Sequence, residues 1–376
     1  MKPIEFGDLK TQASFIGNDI KSSIDRVISH GKFIMGPEVY ELEEKLLDFV
    51  DAKHVITCSS GTDALLMALM AFGIGPGDAV FTSPFTFIAT AEVISLLGAV
   101  PVFVDINNDT FNMDPFKLEE AVEKLCKDNR TRLTPKCVIP VDIFGLPADY
   151  ENINKIAKKY NLCVIEDAAQ SLGGRSGDNM AGNLTDVSTT SFFPAKPLGC
   201  YGDGGAIFTN DSSLNEKLIS IRVHGKGQHK YDTVRLGING RMDTLQAAIL
   251  LQKMTIFKDE LKKRERVAQK YRERLNELVK FQKIPDEFTS AWAQFSFVSK
   301  NRSKVMKKFE INKIPHAIYY PKPLHLQEAF SILKYKKGDF PVAEKITDTI
   351  LSVPMHPYLS EEQIEFITKT MVSAFN

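Results

Sequence analysis

Short apolar runs alternate with helical patterns along the first part of the chain, which predicts an α/β fold around a mainly parallel sheet. Two junctions support that class. The apolar run 54–58 passes through Ser59-Ser60-Gly61-Thr62-Asp63 straight into an apolar helix, and the apolar run 162–165 ends on the acidic pair Glu166-Asp167. In parallel sheets, functional side chains collect where strands end.

Taken in order, Val39, Leu42, Leu46, Leu47 and Val50 recur at helical spacing, with Glu41 set to pair with Lys45, so 38–50 is expected to be a helix. A strand at 54–58 and a buried helix at 64–74 follow. Gly75-Pro76-Gly77-Asp78 reads as a turn, 79–83 as a strand, and the stretch after Phe85-Thr86-Phe87 as a helix ending at Leu97. Strands are then expected at 100–106, 137–144 and 162–165, with helices at 114–125 and 149–160. Residues 187–190 and 206–209 are strand-like and 214–223 helical. A basic, glycine-containing loop fills 224–235. Helix 244–254 is followed by 259–278, whose dense mixture of charges at helical spacing reads as a solvated linking helix. Beyond it the pattern shifts to a strand at 291–298, a helix from Arg302 and a closing amphipathic helix at 361–375. We therefore expect a large domain over 1–256 and a small C-terminal α+β domain over 257–376.

Composition narrows the function. Lysine plus arginine number 47 and aspartate plus glutamate 47, so no global charge favours nucleic acid or an anionic membrane. Cys58, Cys126, Cys137, Cys163 and Cys200 form no C-x-x-C pair, which fits free thiols in a reducing compartment. The N-terminus lacks the apolar stretch of a secretory signal, and 64–74 is too short to span a bilayer. A soluble cytoplasmic protein is expected. The histidines of the 224–235 loop are five apart with no cysteine or carboxylate cluster, so no metal site is expected.

The chemistry concentrates at one lysine. In Ser191-Phe-Phe-Pro194-Ala-Lys196-Pro197-Leu-Gly199-Cys-Tyr-Gly202-Asp-Gly204-Gly205 it sits between prolines and a glycine run, on a tight irregular loop. A lysine held there can lose solvation, which favours a neutral amine and a Schiff base with a carbonyl; alone, the same pattern also describes a surface lysine beside a turn. The Gly61–Thr62 helix start can hold a phosphate on free amides, or can simply be a Ser/Thr N-cap. Asp167 can N-cap a helix or meet a buried cation. Phe85 or Phe87 can stack on a ring or pack in the core. Together, lysine, acid and phosphate cup are what pyridoxal phosphate needs.

These residues resemble the DegT/DnrJ/EryC1/StrS family of sugar-nucleotide aminotransferases over nearly the whole chain. The resemblance rests on Gly36-Pro-Glu38-Val39, Ser60-Gly-Thr-Asp-Ala-Leu65, Glu166-Asp-Ala-Ala-Gln170-Ser171, the lysine loop, and Gly237-Ile-Asn-Gly-Arg-Met-Asp-Thr-Leu-Gln-Ala-Ala248. It implies the aspartate-aminotransferase type of pyridoxal-phosphate fold (fold type I) and a homodimer with a shared active site. It also implies that Lys196 carries the cofactor and moves the proton, that Asp167 pairs with the pyridine nitrogen, and that Gln170 lies beside the ring oxygen. Phe87 is to stack on the ring, with Gly61, Thr62 and Ser191 at the phosphate and Asn239 reaching it from the other subunit. Glutamate is the implied amino donor.

Within the family the lysine loop resembles the branch that aminates C3 of UDP-2-acetamido-2-deoxy-3-oxo-glucuronate for bacterial surface polysaccharides. Arg241 is then expected to meet the sugar carboxylate, with Tyr319 and Tyr320 nearby. A histidine is frequent in that branch where this chain has Tyr319, which bears on the sugar and leaves the reaction class untouched. Rival substrates are C4 keto sugars and TDP-linked 3-keto-6-deoxy sugars. Sugar 3-dehydrases of similar sequence carry histidine at the lysine position, against Lys196 here. A regulatory binding protein is the rival of another class; neutral net charge and the lack of a helix-turn-helix pattern weigh against DNA binding.

Overall fold

The computed structural model describes residues 2–128, 132–229 and 231–375. Its centre is a seven-stranded sheet in the order His54–Cys58, Gly205–Thr209, Val187–Ser191, Cys163–Asp167, Thr134–Ile139, Asp78–Thr82, Val100–Phe103. Only Gly205–Thr209 runs against its neighbours, so the sheet is mainly parallel, as the alternation predicts. Gly61–Ala71 packs on it through Ala64, Leu65, Met67, Ala68 and Leu69, all buried among Ile56, Val80, Cys137, Ile165 and Ile207. A helix apolar nearly all round suits a position between sheet and further helices.

The second sheet, antiparallel, orders Lys280–Phe281, Phe295–Val298 and Ile350–Val353, and is covered by Arg302–Ile311 and Glu361–Val372. The last helix begins with a capping box between Ser360 and Gln363.

Several expectations change, among them the strands expected at 100–106 and 291–298, which are Val100–Phe103 and Phe295–Val298. The strand foreseen at 137–144 ends at Ile139; the chain turns through Ile143–Gly145, where Phe144 takes a positive φ of 63°. The run 259–278 is not a separate solvated linker. It belongs to one 32-residue helix, Thr244–Leu275, which continues across the 256/257 junction. Glu260, Arg264, Val267, Ala268, Tyr271 and Leu275 form a buried stripe on it. Charge hid that stripe in the sequence: Glu260 accepts from Gln12 Nε2 (2.9 Å) and from the Tyr358 hydroxyl, while Arg264 donates to the Trp292 (2.9 Å) and Met355 (3.2 Å) carbonyls. The helix Leu9–His30, capped by Asp8, lies against the same long helix and went unread despite Ile16, Ile20 and Val27 at helical spacing.

A buried carboxyl pair braces the strand end that carries Asp167. Asp142 donates its amide to the Asp167 carbonyl (3.1 Å), and its carboxyl accepts from Tyr150 (2.7 Å), Ser171 (2.6 Å) and the Ala148 amide (2.9 Å). Glu166 accepts from Ser188 (2.5 Å) and the Gly182 amide (2.9 Å). Burial first, and the Glu166 charge second, push the Asp142 carboxyl well above the usual carboxylate range. The folded state thus holds a proton there more tightly than the unfolded chain. The resulting stability is full below the unfolded pKa and is lost as pH rises through the folded value. Asp142→Asn keeps the acceptor for Tyr150 and Ala148 but cannot ionise. Thermal melts at stepped pH should therefore show a smaller loss toward alkaline pH in the variant than in the wild type; parallel curves would remove Asp142 as the source of that pH dependence.

Candidate active site

The site lies where the central strands end. Asp167 closes its strand opposite Thr189 on the neighbouring parallel strand, and Ser191 ends that neighbour before the lysine loop begins. Asp167 is 5 % exposed. Thr90, in the first turn of Ala89–Leu96, donates its hydroxyl to Asp167 Oδ2 at 2.8 Å, and the Ala169 amide donates to Oδ1 at 3.2 Å. Desolvation raises the Asp167 pKa, while the Thr90 bond and the charge of Lys196 act the other way.

Lys196 is half-buried and loses enough solvent that its ammonium pKa falls, with Asp167 opposing the fall. The mutual effect places the two groups within electrostatic reach inside the protein. A lysine depressed this way is nearer the neutral, nucleophilic form.

The start of the Gly61–Ala71 helix lies beside the end of the Ser191 strand. Ser60 caps Gly61–Ala71 by accepting from the Asp63 amide at 3.0 Å, and Ser59 donates to Asp63 Oδ2 at 2.5 Å. The Gly61 and Thr62 amides find no acceptor among the described residues. A Cβ at Gly61 would come within 2.6 Å of Ser191 Cβ, so glycine lets the helix start approach the Ser191 strand end. Free amides at a helix start, a buried carboxylate and a desolvated lysine fit an aldehyde-bearing phosphate ester with a basic ring nitrogen.

Of the other expected residues, Gln170 is buried, accepting from the Phe144 amide (2.6 Å) and donating to the Tyr320 hydroxyl (3.2 Å). Phe85 is a core residue, edge-on to Phe144 and Tyr320, while Phe87 is 57 % exposed, which leaves Phe87 free for stacking. Tyr319 shares with Lys196 a cavity of about 170 Å³. Asn239 and Arg241 line a separate cavity of about 430 Å³ with Ile34, Ser59, Asp203 and Gln246. That cavity adjoins the cup, since Ser59 donates its amide to the Gly240 carbonyl at 3.0 Å. Asn239 is exposed and Arg241 half-buried, its Nε unpartnered among the described residues. Sequence reasoning missed Thr90 and Asp142; only the three-dimensional crossing of helix and strand ends reveals either. Among the described residues no cluster of His, Cys, Asp and Glu could hold a metal, and no helix is long and apolar enough to cross a membrane.

Fold and site together define a pyridoxal-phosphate-dependent aminotransferase of fold type I. The chain belongs to the DegT/DnrJ/EryC1/StrS aminotransferase family, whose sequence profile matches residues 14–372. It is 46 % identical over 98 % of its length, and all of the relative's, to a UDP-2-acetamido-2-deoxy-3-oxo-D-glucuronate aminotransferase of Pseudomonas aeruginosa. It is 41 % identical, over 98 % of its length and 97 % of the relative's, to a pleiotropic regulatory protein of Geobacillus stearothermophilus. A crystal structure of a family aminotransferase from Brucella abortus superposes with a TM-score of 0.96 at 49 % identity, covering 98 % of this chain and 99 % of that one.

Thr90→Val removes the hydroxyl donor to Asp167 and keeps the side-chain shape. The loss of a hydrogen bond to a buried carboxylate should weaken cofactor binding by roughly tenfold or more. Fluorescence titration of the apoprotein with pyridoxal phosphate checks this; unchanged affinity would mean that Thr90 does not tune Asp167.

Proposed function

We propose that this enzyme transfers the amino group of glutamate to C3 of UDP-2-acetamido-2-deoxy-3-oxo-glucuronate, supplying an amino sugar for bacterial surface polysaccharide synthesis in the cytoplasm. The observation that carries the reading is the desolvated Lys196 set against buried Asp167 beside a helix start with free amides. Bound pyridoxal phosphate supplies the electron sink for charge formed at the substrate carbon. Asp167 would keep the ring nitrogen protonated, Gly61, Thr62 and Ser191 would hold the phosphate, Phe87 would cover the ring and Gln170 would border its oxygen. Lys196, as a neutral amine, would take the proton from the donor carbon in the first half-reaction and, as an ammonium, would deliver a proton to the sugar carbon in the second. Glutamate leaves as 2-oxoglutarate, and the amino group replaces the keto oxygen of the sugar.

A homodimer completes the site in this reading. Phe33, Ile34, Tyr40, Tyr201 and Leu236 are large apolar side chains exposed in the single chain, and Ile34 shares the Asn239–Arg241 cavity. Covering such surface with a second copy is the economical way to remove it from water. Asn239 then serves the partner's phosphate. In a mixed dimer the Lys196→Ala and Asn239→Asp defects would fall in the same composite site and leave the other site intact, so mixed dimers should regain a portion of the activity that both parents lack. No recovery in demonstrated heterodimers would place Asn239 in its own subunit's site.

The sugar is tested through Arg241, whose planar fork suits a carboxylate. In a screen of nucleotide keto sugars with product masses, the uronate should be preferred, and Arg241→Lys should cost it about 2–4 kcal/mol in kcat/KM. A sugar with CH₂OH or CH₃ at that carbon should barely respond. Preference for a C4 ketone or a TDP-linked 6-deoxy sugar would overturn the uronate reading, with Tyr319 the first position to examine. A protein that never turns over with any keto sugar would favour the regulatory alternative.

A further inference from the structure

The lysine loop is a tightly folded unit. The Lys196 amide donates to the Phe193 carbonyl at 2.8 Å, and the Cys200 amide to Phe192 at 2.8 Å. Cys200 Sγ also donates toward Phe192, at 3.0 Å. A Cβ at Gly199 would lie 2.6 Å from both the Phe193 and Pro194 carbonyls, so the loop closes on itself with no room for a side chain there. Gly199 and Lys196 thus pack against the same Phe193 carbonyl, which couples their positions.

Two side chains of the Thr244–Leu275 helix grip the far end of this loop. Lys253, 1 % exposed, donates from Nζ to the Gly199 carbonyl at 2.6 Å and lies 4.3 Å over the Tyr201 ring. Gln246 Oε1 accepts from the Tyr201 amide at 2.9 Å. Seven residues apart, the two share one helix face. We propose that Lys253 is a positioning residue for Lys196, fixing, together with Gln246, where the Lys196 amine can reach. The inference rests on Lys196 being the reacting amine.

A buried lysine is an expensive way to fill this position. Burial lowers its pKa to about 8, against the opposing charges of Glu260 on its own helix and Cys200 on the loop. Lys196, Asp8, Arg264, Tyr319, His356 and Tyr358 line the same cavity. An apolar residue of similar volume would remove that desolvation cost but leave the Gly199 carbonyl without its donor. A packing role predicts a fall in folded protein, and a positioning role a fall in rate.

The test is Lys253→Met in the full-length holoenzyme, with hydrogen exchange of residues 192–202 read separately in the absence of substrate. Exchange at Cys200 and Tyr201 should accelerate, and the variant should remain folded at the assay temperature by its melting curve. The kcat should fall by about 10- to 100-fold, as a small misplacement of a reacting group does, with KM values for both substrates changed less than about twofold. Gln246→Leu should give the same kcat-selective fall, and decides the matter if Lys253→Met does not fold. Unchanged kcat, or a fall that tracks lost folded protein with loop exchange unaltered, overturns the assignment. Faster loop exchange in the variant, in a wild type that transaminates nothing, would count against the proposed function and not against the tether.

Discussion

A lysine and an aspartate are both drawn out of water at the end of the central sheet, and the rest of the molecule is arranged around that shared desolvation. Burial pushes Lys196 down and Asp167 up, and the charge of each holds the other partly in its ionised form. For Asp167, buried at the strand end, an unpaired charge would cost several kcal/mol, and the Lys196 charge offsets part of that. Together they shift the amine toward its reactive form beside an acid placed to face a protonated ring nitrogen.

The scaffold brings the two together by strand geometry. Asp167 and Ser191 end adjacent parallel strands, and the Ala168 amide donates to the Thr189 carbonyl at 2.8 Å, fixing their stagger. The loop between Ser191 and the returning antiparallel strand Gly205–Thr209 must therefore start beside the acid. The helix Gly61–Ala71 sets the third component. Its N-terminus meets Ser191 because Gly61 has no Cβ, so free amides, hydroxyl and lysine converge at one edge of the sheet. The long Thr244–Leu275 helix ties that edge to the second, antiparallel sheet through Arg264, whose guanidinium bonds two carbonyls beyond residue 290.

Much of this was legible in the sequence where local pattern and tertiary environment agree. The strand 54–58 appears with the same bounds, and the apolar helix after Ser60 and the acidic end of 163–167 were visible for the same reason: apolar runs next to polar junctions. What sequence could not show were side chains whose meaning depends on distant partners. Glu260 and Arg264 look like solvated helix charges until Gln12, Tyr358 and two main-chain carbonyls surround them. Thr90 looks like an ordinary helix residue until it reaches Asp167, 77 positions away. Lys253 belongs to the same group: one more lysine in a charged helix, distinguished only by the carbonyl it finds.

The central claim, that Lys196 is the reactive amine of the site, is tested most directly by reduction and mapping. The holoenzyme is treated with borohydride, digested, and searched by mass spectrometry for the lysine that retains the pyridoxyl group. The account predicts a single modified peptide with the label on Lys196, and none after prior conversion to the amine form with glutamate. A label on any other lysine, or labelling of Lys196 no greater than that of exposed lysines, would contradict it.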